Sequence, residues 1–140
     1  MDRIAELVET LSLEPHPEGG RFAQLYKSAS TVAPDDDRGP RAAMTTIAFL
    51  LVKGEVSAWH RVRSDEAWHV YEGDALELTW IDAATNEIVV RVLGPVGEGR
   101  SPVAVVPAGC WQTARSLGAY ALAGCTVAPG FEYDDFELAP

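Results

Sequence analysis

The sequence predicts an all-β barrel or sandwich preceded by one short helix. From residue 43 onward, apolar and β-branched runs follow one another at intervals of roughly 8 to 15 residues, with Gly, Pro, Asp or Asn between most of them. No helical period recurs after the first dozen residues, which disfavours a βαβ architecture. The 140 residues, 47% hydrophobic and 23% charged, suit one domain spanning 1–140 with one sizeable core.

The elements can be justified in chain order. In 2–11, Ile4, Leu7, Val8 and Leu11 fall at i, i+3, i+4 and i+7 and make one apolar stripe. Asp2 is placed to cap that helix. Residues 11–20, LSLEPHPEGG, carry two prolines and two glycines and read as a loop. RFAQLYKS alternates, with Phe22, Gln24 and Tyr26 on one face and Leu25 on the other, as an early strand does. STVAPDDDRGPRAA, 30–43, reads as a polar surface loop, and its Asp35–Asp37 run as a solvated charge cluster. The strands then follow as AMTTIAFLLV, EVSAWHRV, AWHVYEG, ALELTWID, EIVVRVLG, PVAVVPAG, WQTARSL and YALAGCTVAPG. The acidic tail FEYDDFELAP, with Phe131 and Tyr133 alternating, is expected to pack on an edge of the barrel.

Charge excludes several function classes. With 21 acidic and 11 basic side chains the net charge is −10, the wrong sign for phosphate backbones or anionic membranes. No apolar run reaches the roughly 18–20 residues that a spanning helix needs. The N-terminus MDRIAELVETL has no signal-like apolar core, so a cytoplasmic location is expected. In that compartment Cys110 and Cys125 are expected as free thiols.

Chemistry concentrates in 54–73, GEVSAWHRVRSDEAWHVYEG. His60 ends one strand and Glu66 opens the next after a polar turn. Strand alternation puts His60 and Val62 on one face, and Glu66 on the face of Trp68 and Val70. An imidazole and a carboxylate in this arrangement serve as an acid/base pair or as ligands to Mn, Fe, Ni or Zn. The second segment is Pro107-Ala108-Gly109-Cys110-Trp111-Gln112.

The spacing of Gly54, His60, Glu66 and Gly73, with the later Pro-Ala-Gly turn, resembles the two motifs of the cupin superfamily. Val62 and Gln112 stand where a typical cupin has histidines, Ser116 where it has asparagine, and Ser101 where it has glycine. PHPEGGRF, HRVRSDEAWHVYEG, VPAGCWQ and CTVAPGFEYDDFEL together are similar to a small single-domain cupin family with no settled biochemical role. That resemblance implies a double-stranded β-helix (jelly-roll) barrel, a homodimer and a pocket inside the barrel.

The candidate site follows from these residues. His60 and Glu66 are the catalytic candidates, and Gln112, Trp68 and Tyr26 the candidates for holding a small-molecule ligand. His60, Glu66 and Gln112 form a weak metal-ligand set, with water completing the shell, because valine cannot ligate and an amide oxygen is a poor donor. His69, three residues after Glu66, falls on the opposite face. Trp59 and Trp111 should face away from the pocket. Arg61, Arg63 and Asp65 should form a solvated turn, and His16 and Glu18 should lie at a surface or rim. Three functional readings remain open: an isomerase or epimerase on a sugar-like or keto-acid substrate with Glu66 or His60 moving a proton, a non-catalytic binder of small ligands, and a metal-dependent enzyme. No phosphate loop, dinucleotide fingerprint or activated-serine motif is present.

Overall fold

In the computed structural model, which describes residues 2–140, the apolar stripe of the N-terminal segment becomes helix α1, Arg3–Thr10. Asp2 caps it, its carboxylate accepting from the Ala5 amide at 2.7 Å. Strands β1 (Glu14–Pro15), β2 (Arg21–Lys27), β3 (Thr31–Val32) and β4 (Arg41–Ala42) follow. Next come β5 (Thr45–Val52), β6 (Val56–Val62), β7 (Asp65–Gly73), β8 (Leu76–Ile81), β9 (Ile88–Leu93) and β10 (Arg100–Ser101). The chain closes with β11 (Val103–Val106), β12 (Gln112–Ser116), β13 (Tyr120–Ala128) and β14 (Phe136–Leu138). None of its helices is long and apolar enough to cross a membrane among the described residues.

Two six-stranded sheets face each other, ordered β1-β2-β5-β13-β7-β11 and β10-β9-β8-β12-β6-β14, forming a jelly-roll barrel. Between β5 and β8 the chain steps from one sheet to the other at each turn, and it does so again from β10 to β14. Period-2 alternation then decides which side chains point inward. Phe49, Leu51, Trp68, Leu76, Leu78 and Leu93 fill the space between the sheets.

β5 is apolar on both faces, because α1 covers its outer side. Leu7 and Leu13 pack on Ala48, Leu50 and Leu122, with Ile4, Val8 and Leu11 around them. This explains why TTIAFLLV reads as a continuous apolar run and not as an alternating one.

One loop expectation changes. Segment 30–43 is cinched by the β3–β4 pairing, and its Arg38 side chain is buried, only 5% exposed. The Asp35–Asp37 run is exposed, as expected of a solvated cluster, with Asp36 pairing with Arg38 and Asp37 with Arg63. The tail does take an edge position, β14 pairing antiparallel with β6, Phe136 opposite Val62 and Leu138 opposite His60.

The two apolar clusters lie on opposite sides of β5, so damage to one should spare the other. Leu7→Ala is expected to cost about 2 kcal/mol in urea unfolding while leaving the NMR signals of His16 and His60 in place. Displaced histidine signals in a folded variant would contradict this separation.

Candidate functional site

The site begins in a loop and not in the barrel strands. Pro15–Gly20 folds back on itself: the His16 amide donates to the Gly20 carbonyl and the Gly19 amide to the His16 carbonyl, both at 3.0 Å. Gly19 and Gly20 have φ of 104° and 76°, where side chains are strained. A Cβ on Gly19 would also collide with the Val56 carbonyl, and one on Gly20 would meet the Phe49 ring at 2.7 Å. The Ala58 amide donates to the Glu18 carbonyl at 2.6 Å and pins the loop to β6. The result drives Glu18 into the barrel, where it is 6% exposed. The rim position expected for His16 and Glu18 is thereby corrected, since both side chains are buried.

Glu18 Oε2 accepts from the Ser57 hydroxyl at 2.5 Å and lies 2.8 Å from His60 Nδ1. His60 Nδ1 also lies 2.7 Å from the Ala58 carbonyl. A carbonyl and a carboxylate only accept, so Nδ1 carries a proton. Among the described residues Nε2 has no hydrogen-bond partner and no buried side-chain N or O is left unsatisfied, so Nε2 is the atom His60 turns to the cavity. Ser57 sits on the Nδ1 side, the wrong side for a serine nucleophile activated by this histidine. Burial lowers the pKa of His60, but the hydrogen bond to Glu18 and the charges of Glu18 and Glu66 outweigh it and raise it to about 9. His60 is therefore an imidazolium at neutral pH.

His16 is its opposite. Its Nδ1 accepts from the Glu18 amide at 3.0 Å, so that nitrogen carries no proton. The Glu18 carboxylate 3.4 Å away is then a second acceptor and not an ion-pair partner. Burial, aided by the charge of His60, holds the His16 pKa below its ordinary value despite Glu18. His16 is neutral with its proton on Nε2, and its ring packs edge-on to Phe22 at 4.6 Å.

Glu66 is positioned from behind. The Trp68 indole N–H donates to Gln112 Oε1 at 2.9 Å, and Gln112 Nε2 donates to Glu66 Oε1 at 2.9 Å. An indole nitrogen can only donate, which fixes the amide orientation of Gln112. Burial raises the pKa of Glu66 to about 7, with Glu18 adding to the rise while His60, Gln112 and the Cys125 thiol oppose it. Burial and the charges of Glu66 and Glu18 push Cys125 well above its ordinary value, so it is a neutral thiol. Cys110 and Cys125 are both free and buried.

These groups occupy one end of a cavity with about 80 Å³ open to the centre of a water molecule. Phe22, Ile47, Val62, Val127 and Phe131 make apolar walls. Tyr133 and Phe136 close it as a roof. Asp135 ties the roof down: Arg41 donates to both of its oxygens at 2.8 and 2.9 Å, and Arg38 reaches Asp135 and Ser64. The Phe131 amide donates to Thr45 Oγ1 at 2.9 Å.

The sequence-predicted residues separate here. His60 and Glu66 line the cavity together. Gln112 and Trp68 are buried behind Glu66 and do not line it, so they position the carboxyl. Tyr26 is 54% exposed and outside the cavity. A register shift between Gln24 and Tyr26 breaks the alternation, and Gln24 takes the inner position. His69 stacks on Tyr71, away from the cavity. Trp59 and Trp111 line a separate shallow hollow with Ile81, and Arg61 lies over the Trp111 ring. Glu18, absent from the candidates, touches Ser57, His16 and His60 with its carboxylate. Its signal was the rigid Pro-His-Pro-Glu-Gly-Gly loop that surrounds an acid with residues of restricted or left-handed backbone.

The metal set His60, Glu66 and Gln112 does not fit. Gln112 turns its amide hydrogens, not its oxygen, toward Glu66, and Val62 offers no lone pair. No group of three His, Cys, Asp or Glu side chains suited to a metal ion occurs among the described residues.

Comparison with known proteins gives three further findings. A hypothetical protein from Leishmania major superposes with a TM-score of 0.92 at 30% identity, over 99% of this chain and 88% of that one. A protein from Shewanella oneidensis does so with a TM-score of 0.87 at 35% identity, over 99% and 85%. A dTDP sugar isomerase from Desulfovibrio desulfuricans shares the fold, with a TM-score of 0.59 at 13% identity over 85% and 83%. A search of curated proteins finds no match. The model of the family described as Cupin superfamily (DUF985) matches residues 5–139, and with that span, the jelly-roll barrel and the His60–Glu66 spacing, the chain belongs to this cupin family.

Proposed function

We propose that the barrel is a metal-free isomerase or epimerase that moves a proton beside a carbonyl group. The observation that carries this reading is the pairing of His60 and Glu66 in one small cavity, with ionisations suited to opposite roles. Glu66 has a pKa of about 7, where a general base works best at neutral pH. His60 remains an imidazolium to about pH 9 and presents Nε2–H to the cavity. In the reaction, ionised Glu66 takes a proton from the carbon next to the carbonyl. The electron pair of that C–H bond becomes a carbon–carbon double bond, and the carbonyl π pair moves onto oxygen, which takes the His60 Nε2 proton. In an α-hydroxycarbonyl substrate Glu66 then gives its proton to the former carbonyl carbon while His60 takes the proton of the α-hydroxyl, which transposes the carbonyl; if the enol turns over in the cavity first, Glu66 protonates the opposite face of the original carbon and His60 takes back the enol proton, which inverts it. Glu18 holds the imidazolium, and Gln112 holds the carboxyl. The barrel shared with a sugar isomerase agrees with this class of reaction, although at that identity the likeness is of fold.

A non-catalytic binding barrel is the rival reading, and deuterium exchange separates the two. In D2O, small carbonyl compounds such as 3-hydroxy-2-butanone are expected to lose the proton next to the carbonyl in the presence of the protein. Glu66→Gln is expected to lower the rate by at least about 100-fold, the usual scale of a general base. Unchanged exchange in Glu66→Gln and His60→Ala would end the proton-transfer reading.

The rate should rise with pH as Glu66 ionises near 7 and fall as His60 loses its proton near 9. Glu18→Gln removes the charge that favours the imidazolium, so the alkaline limb should move to lower pH while the acid limb does not rise. An alkaline limb unmoved in that variant would separate Glu18 from His60.

Stability gives an independent check. The folded Glu66 pKa lies above its ordinary value, so its stabilising contribution is complete below about pH 4.5 and is lost as pH rises through 7. Glu66→Gln is thus expected to gain thermal stability relative to wild type above pH 7 and not at pH 4; equal differences at both would contradict a buried, destabilised carboxylate. The homodimer implied by the resemblance is also part of this proposal, and a monomeric mass in light scattering would contradict it.

A further inference from the structure

The cavity's charge pattern narrows what it can hold. No lysine or arginine lines it. The nearest basic side chains at the roof are committed: Arg41 to Asp135, Arg38 to Asp36, Asp135 and Ser64, and Lys27 to Glu132. An anion inside would face Glu18 and Glu66 without a counter-ion of its own, since His60 already serves Glu18. A cation would face the open N–H of the His60 imidazolium, and the one carboxyl not paired with it, Glu66, is only half ionised near pH 7 and already accepts from Gln112. Each would also give up its hydration to walls of Phe22, Ile47, Val62 and Val127. The ionisable groups are gathered near His60 and Glu66, while Gln24 and Thr45 are the uncharged polar groups elsewhere on the wall. The volume, about 80 Å³, is several times the minimum for one water, ~10–15 Å³ on the same measure, so the ligand is compact.

We infer that the ligand is a compact, uncharged carbonyl compound with an alkyl body, its oxygen at His60 Nε2, and that keto acids, phosphorylated sugars and amines are rejected. This rests on the proton-transfer reading and excludes the keto-acid half of the substrate range that the sequence suggested. Selectivity comes from the absence of a counter-ion and not from a steric gate. Placing a cation on the wall should therefore reverse it. Gln24 is the position for that change, because it lines the cavity, is exposed so that a longer side chain can be accommodated, and takes no part in the proton transfer.

The test is a binding titration, followed by ligand-observed NMR near neutral pH, of three probes of similar size: 3-hydroxy-2-butanone, 2-oxobutanoate and aminoacetone. Wild-type protein is expected to bind the neutral probe at least about tenfold more tightly than either ion, because unfavourable charge juxtaposition weakens binding. Gln24→Arg is expected to strengthen 2-oxobutanoate binding at least about tenfold and to leave the neutral probe within a few-fold, as one guanidinium would do opposite a carboxylate. Binding of 2-oxobutanoate or aminoacetone to wild type as tight as that of the neutral probe would overturn the inference. So would a failure of the neutral probe to bind, or a folded Gln24→Arg variant with no gain for the keto acid. Deuterium exchange is read separately in the same samples. Neutral binding without exchange would sink the reaction and leave the ligand class standing.

Discussion

Glu18 meets His60 inside the barrel at 2.8 Å, and the arrangement of the site follows from that contact. A buried imidazolium is costly unless a carboxylate compensates it. The compensating group does not come from a neighbouring strand. It arrives from a loop some forty residues earlier, carried in by two glycines with left-handed backbone and fastened to β6 by the Glu18 carbonyl. With Glu18 in place, His60 keeps its proton and presents Nε2 to the cavity. Burial, and not these charges, raises the pKa of Glu66 and lowers that of His16; at each neighbour the larger of the two charge effects opposes the shift.

A charge network, and not a full set of histidine ligands, occupies this part of the barrel. In the usual cupin pattern two more histidines complete a ligand set, and here those positions are Val62 and Gln112. Val62 became cavity wall. Gln112 became a relay that joins the Trp68 indole to the Glu66 carboxyl and holds the carboxyl in one orientation. The roof is tied down by Asp135, Arg41 and Arg38, and Glu18, His60 and Glu66 are all buried, where their interactions are stronger than in water.

Much of this was legible in the residues. The spacing of His60, Glu66 and the Pro-Ala-Gly turn identified the barrel and put both side chains in one pocket. The helical stripe of Ile4, Leu7, Val8 and Leu11 identified the element that covers the outer side of β5. What escaped was set by backbone geometry that side-chain patterns do not report. Tyr26 was expected to share the inner face with Phe22, but the register shift after Gln24 turned it out to solvent. Glu18 was expected at a rim because loops are usually solvated, and only the paired positive φ values of Gly19 and Gly20 bring it inside. The hidden role of Arg38 likewise depends on a partner, Asp135, nearly a hundred residues away.

The central claim is that Glu18 keeps His60 charged while His16 beside it stays neutral. Long-range proton–nitrogen NMR of uniformly 15N-labelled protein, recorded from pH 5 to 10, reads both rings directly. The account expects His60 to show two protonated nitrogens at neutral pH and to lose one near pH 9. His16 should show a single proton, on Nε2, at neutral pH. A His60 that titrates at or below its ordinary value of about 6.5, or a His16 protonated on Nδ1 at neutral pH, would contradict it.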